Sequence, residues 1–181
     1  KISILRKLFK AYDANTEDLI FFLRDAADVS AEEEKGTRYE LRRRYWKYAL
    51  EYIREAHGEH GSFSNVNTSK ENWISGFVGI SGVSINCTAN YDCARVEFYL
   101  GSSMKETNKA RFDFLYQHKD EIEGKLGKSL EWLRSDDTKA SFVLIRLTEV
   151  SIKNETDWSM MAKFHAEWSK KFYDVLVPYL K

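Results

Sequence analysis

Arg95, Glu97 and Tyr99 occupy alternate positions in the stretch Cys93–Leu100, and Arg146 sits in a second stretch of strand-like pattern, Ala140–Val150. Side chains two apart on a strand point to one face, so such residues share a surface. A guanidinium presents a planar fork to a carboxylate or a phosphate, and a tyrosine ring can stack. The chemistry open to this set is therefore recognition rather than bond breaking. The competing reading is a cross-strand ion pair on a solvated sheet face, a common feature of half-exposed antiparallel sheets.

The other candidates are thinner. His57 and His60 have the HxxH spacing with Glu59 between them, but a zinc site needs three or four ligands and no further Cys or His lies nearby in the sequence. No metal site and no cofactor is expected. His165 falls in an apolar stripe, where a histidine satisfied by one hydrogen bond is the commoner finding than a catalytic base. Arg42, Arg43 and Arg44 run beside Trp46, a pattern that could touch nucleic acid. The interspersed Arg38, Glu40, Lys47, Glu51 and Glu55 point instead to a solvated helix face.

A metal-dependent nuclease of the restriction type needs an acidic residue followed by Glu-x-Lys on an adjacent strand. Asp92 precedes Glu97, but position 99 is Tyr; Glu33-Glu34-Lys35 and Glu123-Gly124-Lys125 have the tripeptide on helical segments. No phosphate-binding loop, dinucleotide glycine pattern or nucleophile elbow occurs, and no spacing assembles a Ser-His-Asp triad.

These residues have to be carried by a scaffold that 181 residues can build as one ordinary domain. The chain is 43% hydrophobic and 31% charged, which excludes a disordered or membrane-spanning class. With 28 basic and 28 acidic residues it has no net charge, so no global attraction draws it to nucleic acid or to an anionic membrane. Two cysteines, Cys87 and Cys93, are too few for a disulfide framework and suit a cytoplasmic protein with reduced thiols. The chain starts at Lys1 without a signal-peptide pattern, which reads as a fragment, a processed product or an isolated domain.

Periodicity predicts two short helices within residues 1–28. One carries Ile4, Leu5, Leu8, Phe9 and Tyr12, and the other starts near Thr16. A longer helix is expected from Thr37 to His57, with the Ser30/Glu33 and Thr37/Glu40 pairs spaced as capping boxes and an apolar stripe from Leu41 to Ala56. Strands are expected over Trp73–Ile80, Val83–Ala89 and Cys93–Leu100. A helix follows over Thr107–Leu126 with Gly127 as its C-cap, then strands over Leu130–Arg134 and Ala140–Val150. A last helix runs from about Asp157 to Val177, capped by Thr156 and ended by Pro178. This order predicts an α+β fold, a mostly antiparallel sheet of about five strands with amphipathic helices on one face. The domain organisation is a helical extension over 1–36 and an α+β domain over 37–181.

Alternation divides the sheet. Val96, Phe98 and Leu100 oppose Arg95, Glu97 and Tyr99. Val83, Ile85, Cys87 and Ala89 oppose Ser84, Asn86 and Thr88. Phe142, Leu144, Arg146 and Thr148 oppose Val143, Ile145, Leu147 and Glu149. One face is apolar and takes the helices; the other mixes charges with aromatics. Cys87 and Cys93 fall on opposite faces, which disfavours a bridge between them.

Four stretches resemble the domain-of-unknown-function family 4268, a bacterial and archaeal group. They are Tyr45-Trp46, the segment Ala94–Leu100, the run Lys119–Gly127 leading to Leu130-Glu131-Trp132, and Asp157-Trp158. The resemblance covers roughly residues 38–180. It implies a domain C-terminal to a nuclease-like part in longer proteins, with an accessory role beside nucleic-acid processing or defence; it carries no catalytic residues. The leading expectation is a non-enzymatic binding module for a protein or nucleic-acid partner, without membrane association, using Arg95, Glu97, Tyr99 and Arg146. The alternatives are a divergent metal-dependent nuclease-like hydrolase and a homodimer through the N-terminal helices.

Overall fold

The computed structural model describes residues 16–181, with side chains described at Ala31 and from Glu34 onward. The chain divides into two compact units, Lys1–Glu40 and Leu41–Lys181. The helix expected over Ile4–Tyr12 lies outside the described residues. In the first unit, the ring of Tyr39 meets the cations of Arg38 and Lys35, 5.5 and 6.0 Å from its centroid.

Helix α1 (Thr16–His57) is continuous, where the sequence suggested two helices. Ser30 and Thr37 have capping partners at the right spacing, but nothing in the stretch forces the backbone out of the helix. It contains no proline, and Gly36 costs only about 1 kcal/mol relative to alanine. From Leu41 onward α1 buries Tyr45, Trp46, Ala49, Leu50 and Ile53. It ends at Gly58, whose φ of 76° an L side chain rarely adopts.

Five strands follow: β1 (Trp73–Phe77), β2 (Val83–Ala89), β3 (Cys93–Leu100), β4 (Glu131–Leu133) and β5 (Ser141–Thr148). They form one sheet in the order β1-β2-β3-β5-β4, with every neighbouring pair antiparallel. β1 stops three residues short of the expected Ile80. Gly79 and Gly82, both at positive φ, turn the chain there, and a side chain at Gly82 would overlap Ser102.

Between β3 and β4 the expected single helix is two, α2 (Lys105–Gln117) and α3 (Lys119–Leu126). His118 separates them; its Nδ1 bonds the Phe114 carbonyl at 2.9 Å, a local side-chain bond that competes with helix continuation. Gly127 ends α3 in the left-handed conformation, as the sequence suggests. Helix α4 (Trp158–Leu176) is entered through a 3-10 turn, Glu155–Asp157. Asn154 caps this turn by accepting from the Thr156 amide, so the cap lies two residues before the expected Thr156. Pro178 lies in the 3-10 turn Val177–Leu180 that follows.

The fold is α+β, as expected. One face of the sheet contributes Ile74, Ile85, Cys87, Val96, Phe98, Val143 and Ile145 to a single core. That core includes Trp46 and Ile53 of α1, Leu115 of α2, Ile122 of α3 and Met161 and Phe172 of α4. Gly76 on β1 leaves room for the Phe63 ring, which would lie 2.6 Å from an added Cβ.

Candidate functional site

The strand registers set the other face out in three rows. Trp73, Thr88, Arg95 and Arg146 are successive partners across β1, β2, β3 and β5. Ser75, Asn86, Glu97, Leu144 and Glu131 form the next row, and Phe77, Ser84, Tyr99, Phe142 and Leu133 the third. Rows lie two residues apart along each strand, about 6.7 Å. The face therefore runs from a cationic end through a polar middle to an aromatic end.

All four predicted residues are on this face. Arg95 and Arg146 are direct register partners, and each is turned to a carboxylate of the central row. Arg95 Nη2 lies 3.1 Å from Glu97 Oε1, and Arg146 Nε donates to Glu131 Oε1 at 2.7 Å. The Arg146–Glu131 pair is the cross-strand ion pair that the competing reading anticipates, whereas Arg95 and Glu97 pair along one strand. Glu97 is 8% exposed. Burial pushes its carboxyl above the ordinary value, against the pull of Arg95 and Arg146. Among the described groups Arg95 Nε is buried without an acceptor. Tyr99 packs on Phe142 with ring centroids 5.4 Å apart and lies over Gly101, where a Cβ would strike its ring.

The charges of this face thus compensate one another, and three of its large apolar groups stay in solvent, while Leu144 in the middle row is buried. Phe77 is 64% exposed, Trp73 47% and Leu133 40%. Sequence reasoning missed all three. Their parity was readable, but their place beside Arg95 and Tyr99 depends on strand register, which the loop conformations decide. In the middle row Ser75 Oγ and Ser84 Oγ both donate to Asn86 Oδ1, at 2.7 and 3.0 Å.

The remaining candidates resolve into structure. His165 is fully buried on the covered side. Its Nε2 donates to the Thr88 carbonyl at 3.1 Å and its Nδ1 accepts from Tyr45 Oη at 2.9 Å, the assignment that these partners require. Burial lowers its pKa to about 4. His57 Nε2 is 2.9 Å from Ser169 Oγ, and burial together with nearby Lys170 lowers its pKa to about 4, while Asp174 opposes that shift. His60 is exposed. Among the described residues no group of three or more His, Cys, Asp or Glu side chains is placed to hold a metal ion.

Trp46 is buried, with Nε1 donating to the Glu71 carbonyl at 3.0 Å, so it is not a surface partner of the arginine run. Arg42 donates to the Lys70 carbonyl at 3.1 Å and Arg44 to Glu155 at 2.5 Å. Cys87 and Cys93 are buried free thiols, and burial raises Cys87 far above a reactive range. No described helix is long and apolar enough to cross a membrane.

The model of the family described as Domain of unknown function (DUF4268) matches residues 41–180. The chain belongs to this family. No curated protein and no solved structure matches it. The DUF4268 match begins with the first residue of the second compact unit.

Three of the four DUF4268-like stretches serve the scaffold. Tyr45 meets Trp158 edge to face, with centroids 5.5 Å apart. Asp157 accepts from the Ser151 amide at 2.9 Å. Glu123 accepts from the Leu130 amide and from Trp132 Nε1, at 2.8 and 2.9 Å, and so ties α3 to β4. The fourth stretch, Ala94–Leu100, is β3, which supplies Arg95, Glu97 and Tyr99 to the open face.

Proposed function

We propose that this DUF4268 domain is a non-enzymatic binding module that takes a macromolecular partner on its open sheet face. Residues 1–36 are read as an extension to it, in keeping with a unit boundary and a family match that both fall at position 41. The observation that carries the reading is the exposure of Trp73, Phe77 and Leu133 on the same sheet face as the paired Arg95 and Arg146. Interface cores are enriched in aromatic residues and arginine and depleted of uncompensated charge. Exposed apolar groups rimmed by polar residues commonly mark such a site.

The test is a titration followed by NMR on isotope-labelled chain with two probes, unlabelled chain and a fluorescein-labelled single-stranded oligonucleotide. One of the two should shift the amides of Phe77, Glu97 and Tyr99, and Phe77→Ala should weaken that response without lowering the melting temperature. No response on this face to either probe would sink the proposal.

A further inference from the structure

Taking the open sheet face as a binding surface, we infer that its occupant is a second copy of the same chain, packed face to face about a two-fold axis running across the strands along the central row. An isologous interface demands self-complementarity of the face that forms it.

Two such copies can be related by an axis parallel or perpendicular to the strands. A parallel axis through β3 sets Arg95 against Arg95 and leaves like rows together. A perpendicular axis along the row containing Ser75, Asn86 and Glu97 exchanges the outer rows. Arg95 then faces the second copy's Tyr99, Arg146 its Phe142 and Trp73 its Phe77, by the registers of the sheet. Each guanidinium meets an aromatic ring, an attractive pairing that grows on desolvation. The two exposed aromatics of β1 meet each other.

The charge count favours a second copy over a nucleic acid. Arg95 and Arg146 are balanced on the same face by Glu97 and Glu131, so a polyphosphate finds no net positive surface. Size is adequate. Five strands and three rows cover about 24 by 20 Å, roughly 500 Å² for each copy. The pair buries about 1,000 Å², the lower bound of a specific interface, which fits a reversible dimer.

The same axis brings Glu97 toward its own counterpart and Glu131 toward its own, with Arg95 and Arg146 of each copy beside them. Its carboxyl is already raised by burial, and a second carboxylate opposite raises it further. Association is therefore strengthened as pH falls through the raised Glu97 value, and Glu97→Gln makes that dependence shallower, leaving the part due to Glu131.

Sedimentation velocity of the full chain over a wide concentration range tests this. The expected result is a monomer–dimer equilibrium weakened at least about tenfold by Phe77→Asp, a loss on the scale of one interface anchor. Glu97→Gln should dimerise with a shallower pH dependence in the acid range, and circular dichroism melts check that both variants fold. A dimer that survives Phe77→Asp with its pH dependence unchanged by Glu97→Gln overturns the inference, since its contact then lies elsewhere. A chain that stays monomeric at every concentration also overturns it. If that monomer's face still responds to the single-stranded oligonucleotide, the binding reading stands with a different partner; if it does not, both fail.

Discussion

The two faces of this sheet share every backbone hydrogen bond and differ only in what covers them. On the covered face Val96, Phe98 and Ile85 lie under the helices at 0% exposure, and the buried imidazole there, His165, has a partner at each nitrogen. On the open face charges are satisfied sideways, by neighbours in the sheet, and aromatic groups have solvent where the other face has helices. Stability therefore resides in the first layer. The second is free to carry residues that a folding requirement alone does not demand.

Deleting the same side chain from each face should have very different costs. Phe98 is fully buried, and Phe98→Ala should cost about 3–5 kcal/mol in urea unfolding through lost transfer energy and the cavity left behind. A cost near that of a surface substitution would mean that the helix layer does not hold this face.

A second comparison is electrostatic. His165 has its pKa lowered from 6.5 to about 4, so it stays neutral in the folded chain while the unfolded chain takes up a proton. Its contribution is present above pH 6.5 and is lost as pH falls toward 4, a difference of roughly 3 kcal/mol at 1.36 kcal/mol per unit. His57 acts in the same direction. Glu97, raised by burial, acts oppositely: the folded state holds its proton more tightly, so its effect favours folding as pH falls through the raised value. Chemical denaturation at a series of pH values should show net loss of stability below pH 6.5, with a shallower slope in His165→Gln. An unchanged slope in that variant would remove His165 as its source.

Much of this was legible in the sequence. Period-two alternation in β2, β3 and β5 separates the two faces because one of them is uniformly apolar, and the stripe of α4 marks its buried side for the same reason. What period cannot give is register and long-range polar contact. Trp73 and Phe77 join Arg95 and Tyr99 through pairing across β2, which no local pattern encodes. Trp46 follows three arginines, yet Arg44 stands two positions away, about 200° around the helix, so it remains exposed while Trp46 turns inward.

Lys109 was wholly illegible. It lies on α2 as one more charged residue, but its ammonium is buried and bonds the carbonyls of Arg134, Ser135 and Ala140 and the hydroxyl of Ser141, at 2.5, 2.9, 2.8 and 3.0 Å. Its partners are mainly backbone groups some 30 positions away, invisible to residue-type patterns. Lys109→Met keeps the stem and removes the donors, leaving those carbonyls only their bonds from Thr138 and Ser141. It should cost about 1–3 kcal/mol and speed amide exchange across residues 134–141. Slow exchange there in the variant would show that the turn between β4 and β5 stands without the lysine.

The smallest effect is the most informative about function. Phe77 has the same ring as Phe98 but is 64% exposed at the aromatic end of the open face. Truncation to alanine removes little buried surface, leaves no cavity and keeps the β1–β2 ladder intact, so unfolding free energy should change by no more than about 0.5 kcal/mol. A measured loss of 2 kcal/mol or more, the size expected only where a large side chain is enclosed, would place Phe77 in a packed environment and return the open face to the scaffold. A near-zero change has the opposite meaning. The chain then carries a large aromatic side chain in solvent with no return in stability, and the reason for its presence has to be sought in what lands on that face.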